Sequence, residues 1–205
     1  MMLEVDERWG CRCTGYHVQG RPDPASVDAL LALQRRLAAR SDVPLRLIPP
    51  AALHLSVMTM LPAFASIEGR DARWQRIATA WRMKRPLLPA FSLVFHDAIF
   101  THHALIVSTH DLPMPLVDVR RRLGEVMAAA DEIAPTYDRA HITLARYARA
   151  GAMPQPVAIE LRASIDTVRV VRERRYPSLE CEEVDLTDPS APPPPRVPPS
   201  ASASR

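Results

Sequence analysis

Two short segments of this sequence carry residues able to do acid–base chemistry: Leu53-His54-Leu55-Ser56-Val57 and His141-Ile142-Thr143-Leu144. In each, a histidine stands two residues before a hydroxyl. On a strand, residues i and i+2 point to one side, so His54 shares a face with Ser56 and His141 with Thr143. An unperturbed imidazole titrates near pH ~6.5, so one ring can take a proton from a nucleophile while another gives one to a leaving oxygen. The hydroxyls are donors suited to non-bridging oxygens on which charge builds. Two such pairs around one anion would suit a phosphodiester and would need no metal.

Fewer signals surround a second group of residues. Arg146 is a candidate to neutralise a substrate phosphate. Strict alternation points it away from the His141 side, so it needs a bulge or a strand end to come round. Tyr147 has the parity of His141 and is a candidate to stack on a base. Tyr16 and His17 are neighbours on a first strand and cannot both face one groove; Tyr16 is the candidate substrate contact of the two. His102 and His103 read as a solvated turn, and Arg120, Arg121 and Arg122 as the wet side of a helix. Cys11, Cys13 and Cys181 are odd in number and lack the spacing of a disulfide framework or a zinc site. They read as reduced thiols, and neither a metal nor another cofactor is expected.

The elements that must position these residues can be read from periodicity. A strand is expected over 14–19 and a helix over 25–40, with Pro24 at its first position. Pro49-Pro50 then introduces a strand over 53–61, apolar at Leu53, Leu55, Val57 and Leu61, with His54, Ser56 and Met58 on the other face. A helix over 71–81 follows. In the second half the spacing predicts strands at 91–95 and 104–108, a helix over 116–130, and a strand around His141. Two closing strands are expected at 157–161 and 167–171, and a short one at 184–186. Both halves order their parts alike: a strand, an apolar-faced helix, then a proline-introduced strand bearing the histidine motif. This predicts two related α+β lobes within residues 13–188, after a variable lead-in over 1–12.

Composition bounds the rest. Apolar residues make up 47% and charged residues 24%, with a formal charge of +3, which permits an anionic ligand without demanding one. No run approaches the ~20 apolar residues of a membrane span. The polar start, Met1 to Gly10, has no signal core, so a cytoplasmic protein is expected, with a monomer as the default state. The Pro/Ser/Ala-rich segment 189–205 has little to bury and is expected to be disordered.

The paired motifs resemble the signature of the 2H phosphoesterase superfamily, in its LigT-like branch of RNA 2',3'-cyclic phosphodiesterases, also called 2',5' RNA ligases. Their separation along the chain and the approach Leu47-Ile48-Pro49-Pro50 are similar too, and the resemblance spans roughly residues 14–186. It implies an α+β bilobal fold, two antiparallel-rich sheets with outer helices around a central groove. It also implies a metal-independent opening of 2',3'-cyclic phosphates to 2'-phosphomonoesters, with 2',5' joining as the reverse reaction. Under it His54 and His141 are the acid and base, in either order with His54 favoured as the acid, and Ser56 and Thr143 hold the phosphate. An RNA terminus or small nucleotide would be the substrate. An ADP-ribose cyclic phosphate or a 2',5'-linked oligonucleotide is an alternative, as is a silent RNA-end or nucleotide-binding module. Two departures stand out: Ser56 replaces the commoner threonine, and Met60-Leu61-Pro62 replaces an aromatic-Leu-Gly stretch.

Overall fold

Asp23 and Pro24 start the first helix where a helix start is easiest: the Asp23 carboxylate accepts from Ser26 N–H at 2.6 Å, and Pro24 has no N–H to leave unpaired. In a computed structural model, which describes residues 2–64 and 69–187, the elements in chain order are as follows. Strand β1 (Met2–Leu3) and β2 (Arg12–Pro22) precede α1 (Pro24–Ala38) and β3 (Leu45–Leu47). A 3-10 turn over Pro50–Ala52 leads into β4 (Leu55–Leu61), α2 (Arg70–Lys84), β5 (Phe91–Phe100), β6 (Ala104–Thr109) and α3 (Met114–Ala129). Then come β7 (Ala140–Tyr147), β8 (Gly151–Ala152), β9 (Val157–Arg175) and β10 (Glu180–Glu183). The tail expected to be disordered lies outside the described residues.

The strands follow the path β10-β9-β2-β4-β7-β6-β5, and β5 pairs again with β9. That return closes a barrel-like sheet, antiparallel at every pairing. It is made of two arcs, one for each half of the chain. They share β9, whose Val157–Ile165 stretch pairs with β5 and whose Ile165–Arg175 stretch pairs with β2. This corrects the expected pair of closing strands: Ala163 and Ile165 keep the inward alternation through the polar stretch between them, so one 19-residue strand serves both arcs. The last strand is also displaced, to 180–183 instead of 184–186.

In each half the strand before the helix pairs antiparallel with the motif strand: β2 with β4, and β6 with β7. The helices cross over. α1 connects β2 to β3 and β4 yet packs on β7 and β9, while α3 connects β6 to β7 yet packs on β4 and α2. Leu30, Leu33 and Leu37 of α1, and Leu116, Val119, Leu123 and Val126 of α3, are buried in one continuous core. Each such residue contributes about 1.5–3 kcal/mol on leaving water. That apolar packing is what holds the motif strands in place.

Candidate active site

The two motifs meet inside the sheet. Leu55 of β4 and Ile142 of β7 are antiparallel Cα partners, both fully buried. Continuing that register by one residue each way sets His54 opposite Thr143 and Ser56 opposite His141. Each imidazole thus neighbours the hydroxyl of the other motif as well as its own. All four line one cavity of about 600 Å³, a volume suited to a nucleotide-sized ligand.

Backbone irregularities decide what else reaches this wall. Between Leu105↔Ala145 and Ile106↔Thr143 the pairing of β6 with β7 shifts, leaving Leu144 as an extra residue. The parity of β7 flips there, so Arg146 lines the cavity and Tyr147 turns inward. In β4 the pairing with β2 shifts twice, leaving Val57 and Met60 extra. The first shift buries Met58, which simple alternation had set beside His54 and Ser56, and brings Thr59 to the cavity instead.

The bulges at Leu144 and Val57 are each held by a side chain from a crossing helix. Gln34 of α1 donates to Leu144 O at 2.7 Å and to Ile48 O at 2.9 Å. Arg120 of α3 donates to Val57 O at 3.2 Å, Ser56 O at 3.4 Å and Arg139 O at 3.1 Å. Arg120 therefore belongs to the interior and not to the wet helix face, and it ties β4 to the start of β7. Its guanidinium also stacks on Tyr137, whose hydroxyl accepts from Thr59 N–H at 2.9 Å.

No family model and no curated protein matches the chain. Solved structures do. E. coli LigT in its apo form aligns with a TM-score of 0.56 at 12% identity, covering 84% of this chain and 94% of LigT. A crystal structure described as a phosphoesterase aligns at 0.54 and 14% identity, over 84% of this chain and 96% of that one. TT0787 of Thermus thermophilus aligns at 0.54 and 16% identity, over 83% and 95%. This chain has the LigT-like fold.

Within that LigT-like frame the two histidines differ in their surroundings. Ala52 O, a carbonyl that can only accept, receives the Nδ1–H of His54 at 2.8 Å, which leaves Nε2 as the titrating atom. Burial pushes His54 down to about 4; the Ala52 bond and the Glu173 charge oppose this, and His17 and His141 add to it. Burial likewise pushes His141 down to about 4, and there every charge acting on it, from Arg120, Arg146 and Arg139, lowers it further. Burial thus holds both rings mostly neutral near neutral pH, with opposing contributions at His54 and only lowering ones at His141.

Two expected contacts are not at the cavity. Tyr16 is 1% exposed and stacks on Trp74 with ring centroids 3.8 Å apart. Its parity on β2 points it into the core and His17 outward. Tyr147 is fully buried and donates to Thr101 O at 3.0 Å, because the Leu144 bulge reverses its side. Of the pair Tyr16 and His17, it is His17 that lines the cavity, and Arg8, Thr59, Phe64 and Glu173 join it there without having been candidates in the sequence. Arg8 comes from the lead-in and lies over the Phe64 ring at 4.7 Å. Nearby, Arg146 pairs with the buried Asp6 carboxylate at 3.5 Å. A lone acid in Arg172-Glu173-Arg174 was the one signal that could have pointed to Glu173.

Proposed function

We propose that this chain hydrolyses 2',3'-cyclic phosphate ends of RNA or nucleotides to 2'-phosphomonoesters, with a histidine acid and a histidine base. The observation that carries this reading is the shared cavity wall on which two mostly neutral imidazoles neighbour each other's hydroxyls. His141 takes a proton from water as the water oxygen bonds to phosphorus. The P–O3' bond breaks, and the Nε2–H of a protonated His54 supplies the proton to O3'. Ser56 and Thr143 donate to the non-bridging oxygens, and Arg146 offsets their charge. The bound anion raises both imidazoles, which lets His54 carry its proton near neutral pH.

The fold and its neighbours support this class of ligand. E. coli LigT has been solved with phosphate, 3'-AMP, ATP and NADP+, which share a phosphate, three of them on a nucleoside. Joining a 2',3'-cyclic phosphate to an RNA 5'-hydroxyl would use the same two proton transfers, with the 5'-oxygen bonding to phosphorus in place of water as the P–O3' bond breaks. We propose a cytoplasmic monomer acting without a metal; among the described residues no helix is long and apolar enough to cross a membrane.

The test is to offer 2',3'-cyclic nucleotides, and RNA with a cyclic-phosphate end, in EDTA. Wild type is expected to release 2'-phosphates, and His54→Ala and His141→Ala are each expected to lose about 100-fold or more in kcat/KM. Activity that survives both substitutions, or that EDTA abolishes, sinks the proposal.

A further inference from the structure

A third histidine stands on the cavity wall with a polar chain behind it. His17 Nε2 lies 3.1 Å from Glu173 Oε2, and its Nδ1 lies 3.3 Å from Thr59 Oγ1. Glu173 has a side chain only 3% exposed. Its other oxygen accepts from Ser178 N–H and from Ser178 Oγ at 3.2 Å, and Gln19 donates to that Ser178 hydroxyl at 2.9 Å. Burial alone would raise the carboxyl, but the His17 and Ser178 hydrogen bonds hold it below its ordinary range. A buried carboxylate is acceptor-only and is costly to keep without donors. Its Oε2 must therefore take the Nε2–H of His17. With Nε2–H so used, Nδ1 is left to the Thr59 hydroxyl, and in either direction of that bond a lone pair of Thr59 Oγ1 remains for the cavity.

The chain is built into the backbone. His17 and Thr59 are cross-strand partners at the stretch between the two β4 bulges, which is what turns Thr59 to this side. The ring lies over Gly15, where an added Cβ would come within 2.6 Å of Nε2.

The position of the chain says what it meets. Glu173 and His17 act on His54, whereas the charges on His141 are all arginines. The sheet order β9-β2-β4-β7 sets Arg146 with His141 at one end of the cavity and makes the Glu173–His17–Thr59 chain an acceptor end on the other side, with Arg8 over Phe64 as a second cation on the wall. On the proposed reaction, His54 protonates the sugar oxygen that leaves phosphorus, so the sugar and its base extend toward the acceptor end.

We propose that Glu173, His17 and Thr59 form a specificity station in which Thr59 Oγ1 accepts a hydrogen bond from a donor on the nucleoside, a sugar hydroxyl or a base amino group. This inference rests on the cyclic-phosphate reading, and its test separates the two. The readout is the ratio of kcat/KM on a 2',3'-cyclic nucleotide to that on bis(p-nitrophenyl) phosphate, which has no such donor.

Thr59→Val is expected to lower this ratio roughly three- to tenfold through KM, the range for one hydrogen bond. Thr59→Ser is expected to restore it, and His17→Phe to lower it as Thr59→Val does. A ratio unchanged in Thr59→Val, or one that Thr59→Ser fails to restore, overturns the station while leaving the hydrolase intact. If wild type turns over neither substrate, the hydrolase reading fails, and calorimetry decides the station. A nucleoside 2'-monophosphate must then lose affinity in Thr59→Val relative to inorganic phosphate; equal losses, or none, overturn it.

Discussion

Gln34 donates a 2.7 Å hydrogen bond to the carbonyl of Leu144, the extra residue that turns Arg146 toward the cavity. Arg120 does the same for Val57, the extra residue that turns Thr59 toward it. Val57 and Leu144 occupy the same place in their motifs, three residues after His54 and His141. A bulge removes a residue from the regular ladder, and its buried polar groups need other partners. Helices that cross to the opposite half supply them, so the two halves hold each other's motif strands in register.

Gln34→Leu keeps the volume of the side chain but leaves Leu144 O and Ile48 O without that donor. It is expected to cost about 1–3 kcal/mol of stability, read as a lower midpoint in urea. Activity should fall more than the loss of folded protein explains, because Thr143 and Arg146 flank the bulge. A variant as stable as wild type would show that the bulge needs no side-chain donor.

Ser56→Ala and Thr143→Val are expected to lower kcat more than they raise KM, since their donors act most strongly where charge builds on phosphate. About 10- to 100-fold in kcat is expected for each. An effect confined to KM would reduce these hydroxyls to ground-state binders.

Both motif histidines hold protons less firmly when folded, at about 4, than in an unfolded chain, at ~6.5. As pH falls from ~6.5 toward 4, the unfolded chain takes up protons that the folded one refuses, so stability declines across that window and levels off below it. Imidazole C–H signals should titrate near 4 in the free protein and move upward with phosphate bound. Midpoints near ~6.5 without ligand would contradict the buried, neutral state.

Gly15→Ala sets a methyl within 2.6 Å of His17 Nε2 and 3.0 Å of the Ala63 backbone. The imidazole must leave Glu173 or the strand must shift, costing about 1–3 kcal/mol. Thermal melting measures the loss, and a melting temperature equal to that of wild type would mean that His17 does not pack as described.

Much of the fold was legible from local pattern. The helical spacing of Leu30 and Leu37 or Val119 and Leu123 marks helices, and the period-two alternation around His54 and His141 marks strands. Their order predicted the paired halves, since each motif strand follows its helix in sequence.

The His54/Ser56 and His141/Thr143 pairs were visible in the sequence because i, i+2 geometry is local. Which other side chains join them was settled only by tertiary structure. A bulge changes parity without a local signature, so Tyr147 looked as well placed as Arg146 until the pairing of β6 with β7 left Leu144 over. The choice between Tyr16 and His17 depended on which face of β2 meets Trp74, a contact from a distant helix. Arg120 read as a surface charge and Glu173 drew no reading, and both are interior because α3 and β9 bring them against strands from the first half of the sequence.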